Sequence, residues 1–275
     1  MNFSIKSISL GVAATLMATS ALADGHCADG KTLTDGKLTM ATGNPAYFPW
    51  VLDDAPESGN GFEAAVAYAM ASEMGFSNDD VVWVRAGFDE SIQPGAKNFD
   101  LNLQQFSITA DRDKVVDFSA PYYSSAMAVL TTQAVVDGGA APTLASLKGL
   151  KWGADANTTA VPMLTGLVDP DSDPLLYNDN TDVTAALQAG QIDAALFDLP
   201  TALFLSAVVV EGGAILGQFP ADRSENPDQF GMLMEEGNPL KACVDEAIEA
   251  IRANGTLANI EATWLSETTG VPVIE

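Results

Sequence analysis

The amino-acid sequence predicts an α/β fold whose sheets are mainly parallel. Short apolar segments of strand length alternate along the chain with amphipathic segments of helical length, which is the pattern of repeated strand–helix units. The chain has 275 residues. About 250 of them remain after the leader described below, enough for one large domain or two smaller ones.

The predicted elements follow one another without an internal repeat or a long linker. Strands are predicted over residues 38–42, 81–84, 99–103, 151–154 and 191–197. Helices are predicted over residues 61–75 and 181–189 and in two C-terminal segments.

The first helix and the C-terminal helices are assigned from apolar residues that recur at helical spacing. In the first helix, which Gly75 is expected to end, the shared face holds Phe62, Ala65, Val66, Ala69, Met70 and Met74. In the C-terminal helices the corresponding residues are Leu240, Cys243, Val244, Ala247, Ile248 and Ile251, then Leu257, Ile260, Trp264 and Leu265. These side chains are expected to form core.

The first 23 residues are typical of a secretory signal peptide. Lys6 supplies a positive start, an apolar segment covers residues 10–17, and Ala21-Leu22-Ala23 forms a cleavage site. The apolar segment is too short to anchor the protein in a membrane. We therefore expect the protein to be exported to the periplasm and to be soluble there.

Charge and residue counts narrow the possible functions. The chain has 37 acidic and 12 basic residues and a formal net charge of −25, which disfavours nucleic acid and anionic lipid as partners. Its one histidine, His26, gives little support for Ser-His or Cys-His catalysis. Its two cysteines, Cys27 and Cys243, are expected to form a disulfide in an oxidising compartment. Two unpaired thiols are the alternative.

Three residues near the middle of the chain suit a carboxylate ligand. Ser107 and Thr109 offer hydroxyl groups, and Arg112 offers a planar guanidinium that can donate two parallel hydrogen bonds. The alternative is that Arg112 is a surface residue paired with Asp113 or Asp117.

The segment that contains these residues, SITADRDKVVDFSAPYY over 107–123, resembles the signature of the periplasmic amino-acid-binding proteins of ABC importers, the family-3 solute-binding proteins. The resemblance extends over residues 38–265. It implies a type II periplasmic binding fold, in which two lobes, each a mainly parallel sheet flanked by helices, are joined by two crossovers.

The resemblance also implies the division of the chain between the lobes. Residues 24–125 and 225–275 would form the first lobe, and residues 126–224 the second. The crossovers would lie near 123–129 and 219–226.

Further pocket residues follow from the same resemblance. The loop NPAYFPW over 44–50 is similar to the family's aromatic loop, in which Tyr47 would lie against the ligand. Phe88 matches a second aromatic wall, and Gln105 lies where a backbone carbonyl meets the ligand. For Tyr47 and Phe88, simple packing in a turn or core is the alternative.

Two matching segments lie in the second half of the chain. Thr158 and Thr159 resemble a turn at a helix start, where free N–H groups favour an anion. Asp198 follows an apolar strand, where an unpaired carboxylate is costly and a ligand ammonium would satisfy it. Helix capping is the alternative for these residues.

The resemblance implies a binding protein that captures a free amino acid and delivers it to an ABC permease in the inner membrane. Arg112 would bind the α-carboxylate, and Asp198, helped by Ser107, the α-ammonium. Asn44 stands where an acid is frequent in the family, so we expect an uncharged or polar ligand side chain.

From the same resemblance we expect the protein to be a monomer, to have no enzymatic activity and to need no metal or organic cofactor. Two alternatives remain open. One is a periplasmic enzyme on this scaffold, similar to a dehydratase of cyclic carboxylates, in which Asp198 or Glu63 would act on the substrate. The other is a sensor protein that docks onto a receptor.

Overall fold

A computed structural model of the protein describes residues 27–219, 228–265 and 270–275. The predicted signal peptide, residues 1–23, lies outside the described residues. Within the described ranges, none of the helices combines the length and apolar character needed to cross a membrane.

Strands and helices alternate through the described chain, as the sequence predicts. The strands are β1 (Leu38–Thr42), β2 (Val81–Arg85), β3 (Leu101–Asn102), β4 (Val116–Phe118), β5 (Tyr123–Ser125), β6 (Met127–Thr132), β7 (Trp152–Asp155), β8 (Leu175–Tyr177), β9 (Ala194–Asp198), β10 (Gly213–Phe219), β11 (Asp228–Phe230) and β12 (Leu233–Glu235). The α-helices are α1 (Phe62–Glu73), α2 (Phe88–Ser91), α3 (Gln133–Asp137), α4 (Leu144–Lys148), α5 (Ala160–Met163), α6 (Asn180–Gln188), α7 (Leu199–Phe204), α8 (Lys241–Ala253) and α9 (Thr256–Trp264).

Two five-stranded sheets organise the molecule. The first has the order β2-β1-β3-β12-β4, and the second has the order β10-β6-β9-β7-β8. In the first sheet β12 runs opposite to its neighbours, and in the second β6 does. The sheets are therefore mainly but not wholly parallel. We call the first sheet with its helices the first lobe, and the second sheet with its helices the second lobe.

Helices cover both sheets because successive strand residues point to opposite faces. In the second lobe, Met127 and Val129 of β6 pack with α4 and α5, whereas Ala128 and Leu130 pack with α6 and α7. In the first lobe, β1 contributes Met40 to the core that it shares with α1, α8 and α9.

Helix α1 is buried more completely than the sequence predicts. Ala65 and Ala69, expected in the core, are only half-buried, whereas Ala64 and Ala67 are fully buried. The reason is that α1 packs against α8 and α9 on one side and against the loop after β1 on the other. Gly75, with φ +91°, ends the helix as predicted.

Two neighbouring connections join the lobes. Strand β5 pairs with β11 in an antiparallel manner, and β6 pairs with β10, so the outgoing and returning chains run side by side. Much of the second predicted crossover, 219–226, lies outside the described residues. The division between the lobes stays a prediction, but residues 270–275, expected in the first lobe, lie on the second sheet, where Val273 pairs with Gln218 and Ile274 is buried. Because Leu265 packs in the first lobe's core, the chain passes between the lobes a third time before residue 270.

The predicted disulfide between Cys27 and Cys243 is confirmed. The two Cα atoms are 5.6 Å apart, a distance that suits a disulfide. The bond ties the start of the described chain to α8, and Ala28 beside it packs into the first lobe's core.

Candidate ligand-binding site

A cavity of about 520 Å³ lies between the two lobes. Thr42 at the end of β1, Asp155 at the end of β7 and Asp198 at the end of β9 all line it. Ligands of α/β sheets usually bind at the carboxyl ends of strands, and a cavity of this volume is large enough for a small molecule.

The loop after β1 forms one wall and is held by the first turn of α1. The N–H of Phe62 donates to the Pro49 carbonyl at 2.8 Å, and the N–H of Glu63 donates to the Trp50 carbonyl at 3.0 Å. These bonds satisfy helix N–H groups that have no partner within the helix. Gly61 precedes the helix with φ +106°, and a Cβ there would lie 2.4 Å from the Trp50 oxygen.

The aromatic residues of this loop contact both lobes. The Tyr47 hydroxyl lies 3.0 Å from the hydroxyl of Thr181 in the second lobe. Trp50, only 1% exposed, packs in the first lobe's core, and its Nε1 donates to the Thr201 hydroxyl of the second lobe at 2.7 Å. Both rings line the cavity, so packing in a turn does not fully describe either residue.

Arg112 lines the cavity and donates to carbonyls of both lobes. Its guanidinium donates to the Ser107 carbonyl at 2.9 Å and to the Asn157 carbonyl at 2.7 Å. Burial lowers the pKa of Arg112, while the charges of Asp228 and Asp155 act in the opposite direction. Arg112 is not a surface residue paired with a neighbouring acid, because neither Asp113 nor Asp117 pairs with this guanidinium in the described chain.

Phe88 packs within the first lobe and also lines the cavity. Its ring stacks on Phe106 with centroids 4.8 Å apart, and its face lies 5.3 Å from the central carbon of Arg112. The ring also lines the cavity. It therefore packs into the first lobe and supports the guanidinium through a cation–π contact.

Three of the four serine and threonine residues predicted to bind the ligand line the cavity, and the fourth lies outside its lining. The Ser107 and Thr159 hydroxyls, from opposite lobes, lie 3.4 Å apart in the cavity wall. Thr158 also lines the cavity, although its hydroxyl donates to the Asp155 carbonyl. Thr109 does not line the cavity in the described structure, because its hydroxyl accepts the backbone N–H of Arg112 in the turn that carries the guanidinium. The contact of Thr109 with a ligand stays a prediction.

Asp198 both caps a helix and lines the cavity. One carboxylate oxygen accepts the N–H of Thr201 at 2.8 Å and so caps α7. The side chain also lines the cavity. Burial raises the pKa of Asp198 to about 6, and repulsion from Asp228 contributes to the increase.

Gln105 is held from behind by a buried acid. Its backbone has a left-handed φ of +49°, and both its backbone N–H and its side-chain amide donate to Glu63, which is 1% exposed. The Tyr122 hydroxyl donates to the same carboxylate. Burial raises the pKa of Glu63 to about 7, although these donors oppose the increase.

Four more acids line the cavity and were not assigned to the ligand from the sequence. Asp89 and Asp228 are contributed by the first lobe's α2 and by β11, while Asp155 and Asp179 belong to the second lobe. Asp155 could have been noticed as an acid at the end of an apolar strand. No sequence signal marks Asp228, because β11 reaches the cavity through its pairing with β5, about a hundred residues earlier in the chain.

Eight of the nine residues predicted to bind the ligand line this cavity. They are Tyr47, Phe88, Gln105, Ser107, Arg112, Thr158, Thr159 and Asp198. Across residues 27–219, 228–265 and 270–275, no group of three or more His, Cys, Asp or Glu side chains is arranged to hold a metal ion.

Residues 38–267 match the family model of the bacterial extracellular solute-binding proteins, family 3. The chain belongs to this family. The match covers most of the chain and confirms the resemblance inferred from the segment around Arg112. The members of this family are extracellular solute-binding proteins of bacteria.

Curated relatives of this solute-binding protein bind amino acids. It is 28% identical over 228 residues to an L-arginine-binding protein of Pseudomonas aeruginosa, with 80% of this chain and 85% of the relative covered. It is 29% identical over 211 residues to the L-cystine-binding protein TcyJ of Escherichia coli, with 74% and 73% covered.

A solved structure confirms the predicted fold. An ancestral arginine-binding protein bound to glutamine superposes with a TM-score of 0.69 at 24% identity, covering 85% of this chain and 100% of that chain. The likeness shows that this family-3 protein has the two-lobed type II periplasmic binding fold.

Proposed function

We propose that the protein captures a free amino acid between its lobes and delivers it to an ABC importer. The observation that carries this proposal is that Arg112 of the first lobe and Asp198 of the second line one cavity. A cation and an anion in one cavity match the two charged α-groups that every free amino acid has. The names of the curated relatives, which bind arginine and cystine, support the same ligand class.

In this proposal Arg112 binds the α-carboxylate. Its guanidinium is already fixed by two carbonyls and by the Phe88 ring, so little freedom is lost when a ligand binds. The hydroxyls of Ser107 and Thr159 lie together in the same wall and are suited to donate to the carboxylate from both lobes.

Asp198 binds the α-ammonium in the same proposal. One of its oxygens accepts the N–H of Thr201, and an ammonium group would supply the charge that compensates its burial. Asp228 adds a second negative charge nearby. Tyr47 and Phe88 provide aromatic walls for the ligand side chain, which is the arrangement of an apolar pocket with a few oriented polar groups.

Calorimetry with single variants tests the proposal. We expect at least one of the twenty amino acids to bind the purified protein, and Arg112→Ala to weaken this binding by about 2–5 kcal/mol, because a desolvated carboxylate would lose its charged partner. Arg252→Ala, which removes an exposed arginine on α8, is the matched control and should bind normally. Binding of no amino acid, or normal affinity in Arg112→Ala, would contradict the proposal.

The cellular setting forms the remaining part of the proposal. We place the mature protein in the periplasm as a monomer, exported by the signal peptide over residues 1–23, with a permease of the inner membrane as its partner. The permease would receive the amino acid from the closed form, in which both lobes contact the ligand.

The protein is proposed to be a binding protein and not an enzyme. The curated relatives are binding proteins, and the cavity acids Asp198 and Asp155 already accept backbone N–H groups. Mass spectrometry of the ligand after prolonged incubation with the protein tests this point. We expect the amino acid to be recovered unchanged, and a new product would favour the dehydratase-like alternative.

A further inference from the structure

We propose that the bound amino acid has a positively charged side chain, and that Asp155, together with Asp89 and Asp179, binds this second cationic group. The inference rests on the proposed function, since it concerns the same cavity. It replaces the expectation of an uncharged side chain, which was based on Asn44.

Asp155 is the central residue of this acidic group. It is only 4% exposed and lies at the end of β7, where it lines the cavity. In the described chain its carboxylate accepts one hydrogen bond, from the N–H of Asn157 to Oδ1 at 3.0 Å. Its second oxygen has no such bond, and a buried carboxylate with unused acceptor capacity is costly unless a cation or donor satisfies it.

Asp89 and Asp179 extend the group on both sides of the cavity. Asp89 belongs to α2 in the first lobe, and its Oδ1 is buried without a hydrogen-bond partner in the described structure. Asp179 caps α6 in the second lobe by accepting the N–H of Asp182. Burial raises the pKa of Asp155, and the charges of Asp89 and Asp179 add to the increase. The Asn157 N–H and the charge of Arg112 oppose this increase in the pKa.

This group is distinct from the acids assigned to the α-ammonium. Asp198 ends β9 and accepts the N–H of Thr201 at the start of α7, whereas Asp155 ends β7 and accepts the N–H of Asn157. Asp155 and Asp198 end the neighbouring strands β7 and β9, and Arg112 donates to the carbonyl of Asn157, two residues after Asp155. A ligand whose carboxylate meets Arg112 therefore has one acidic set for its α-ammonium and another for its side chain.

The balance of charge in the cavity favours this ligand class. Among the described residues, five aspartates and one arginine line the cavity. An amino acid with an uncharged side chain brings one positive and one negative group and leaves that excess unchanged. A second cationic group on the ligand lowers the repulsion among the acids, and like charges held close in a cavity repel strongly. A volume of about 520 Å³ accommodates a long side chain of this kind.

Asn44 does not carry the specificity expected from its position. It is exposed at the edge of the cavity, whereas the negative charge is supplied from β7 by the buried Asp155. An acid at the position of Asn44 is thus not required for a cationic ligand to be held.

Calorimetry on the unmodified protein with matched ligands tests the proposal. L-arginine is compared with L-citrulline, in which a neutral ureido group of similar shape replaces the guanidinium, and L-lysine is compared with L-norleucine. We expect at least one cationic member to bind about 30-fold or more tightly than its neutral counterpart, as for loss of a buried charge partner. Equal affinities within both pairs would overturn the proposal.

The variant Asp155→Asn tests whether Asp155 causes the preference for a cationic ligand. It keeps an oxygen that can accept the Asn157 N–H but removes the charge, so the preference for the cationic ligand should fall by about 30-fold while the neutral ligand binds as before. Asp173→Asn removes the same charge from an exposed residue outside the cavity and should retain the preference. If Asp155→Asn also retains it, the assignment to Asp155 is wrong.

The same measurements separate this inference from the proposed function. Arg112→Ala should weaken the cationic and neutral ligands equally, because both have an α-carboxylate. If the protein binds amino acids through Arg112 without preferring a cationic side chain, only the further inference fails. If neither charged nor neutral amino acids bind the unmodified protein, both proposals fail.

Discussion

Single residues in this cavity are positioned before a ligand arrives. Arg112 is fixed by the carbonyls of Ser107 and Asn157 and by contact with the Phe88 ring. Glu63 fixes Gln105 by accepting both its backbone N–H and its side-chain amide. Preorganised groups increase affinity because less conformational freedom is lost on binding.

Asp198 should make amino-acid binding depend on pH. Its pKa of about 6 in the described structure is raised mainly by burial. An ammonium ligand favours the ionised form, so below about pH 6 binding must release a proton, and the affinity should fall by up to tenfold per pH unit. Calorimetry between pH 5 and 7.5 measures this slope. Below pH 6 we expect weaker binding with proton release, and above pH 7 we expect a plateau.

Asp198→Asn is the control for this pH dependence. Asparagine is also a good helix cap, so it can accept the N–H of Thr201 and keep α7 intact. The variant should bind more weakly at pH 7.5 and lose most of the slope between pH 5 and 7. A slope as steep as that of the unmodified protein would assign the titration to another acid, such as Asp228, whose charge acts on Asp198, or Glu63, whose pKa is about 7.

At the level of elements, the loop after β1 depends on α1 for its shape. The carbonyls of Pro49 and Trp50 accept N–H groups from the first turn of α1. Gly61 makes this approach possible because it has no Cβ and adopts a φ of +106°. The loop that carries Tyr47 and Trp50 is therefore positioned by a helix that does not itself line the cavity.

Gly61→Ala should destabilise the protein and weaken ligand binding. The new Cβ would lie 2.4 Å from the Trp50 oxygen and 2.6 Å from the Val51 Cα, so the loop must move away from α1. Forced displacement of packed groups typically costs about 1–3 kcal/mol. Urea denaturation and calorimetry measure the two effects.

Gly95→Ala is the matched control for Gly61→Ala. Gly95 has a similar φ of +111°, but a Cβ there would have nothing within 4 Å. The two variants therefore share the backbone strain of an alanine at positive φ, and only Gly61→Ala adds the collision. If both lower the stability equally and neither changes affinity, the contact between loop and helix does not shape the cavity.

The sequence predicts a strand or helix well where only one of its faces is buried or where its apolar residues are continuous, because the apolar pattern is then clear. β1 has the predicted bounds, and α8 buries the predicted stripe. The face of α1 was predicted less well, because packing on two sides buries Ala64 and Ala67 and even the acid Glu63. Two-sided burial removes the contrast between faces on which helical periodicity depends.

The cavity residues were predictable where a motif kept them together along the chain. Ser107 and Arg112 lie five positions apart, and both reach the cavity. Asp155 and Asp228 were missed because their roles depend on tertiary structure. Asp155 is an acid at the end of an apolar strand, but the strand alone does not show that it faces the cavity, and Asp228 is brought there by strand pairing between distant segments.

In the whole molecule, side chains from both lobes meet directly across the cavity. The hydroxyl of Tyr47 meets that of Thr181, and the indole of Trp50 donates to Thr201. These contacts hold the lobes in the arrangement described, and a ligand that touches both lobes adds to them. A ligand shifts such an equilibrium only by its different affinity for the open and closed forms.

Thr201→Val should weaken ligand binding without unfolding the protein. Valine keeps the shape of threonine and the backbone N–H that Asp198 accepts, but it removes the hydroxyl that accepts Trp50 Nε1 at 2.7 Å. In the closed form this N–H would lose its partner, at a cost of about 1–2 kcal/mol, or roughly 5- to 30-fold in affinity. When the lobes separate, water can satisfy the N–H, so the melting temperature without ligand should change little.

Thr165→Val is the control for Thr201→Val. Thr165 is an exposed threonine of the second lobe whose hydroxyl donates to a backbone carbonyl, and this variant should bind the ligand normally. Normal affinity in Thr201→Val would show that this contact does not stabilise the closed form, whereas a large loss of stability without ligand would show that it supports the fold and not closure.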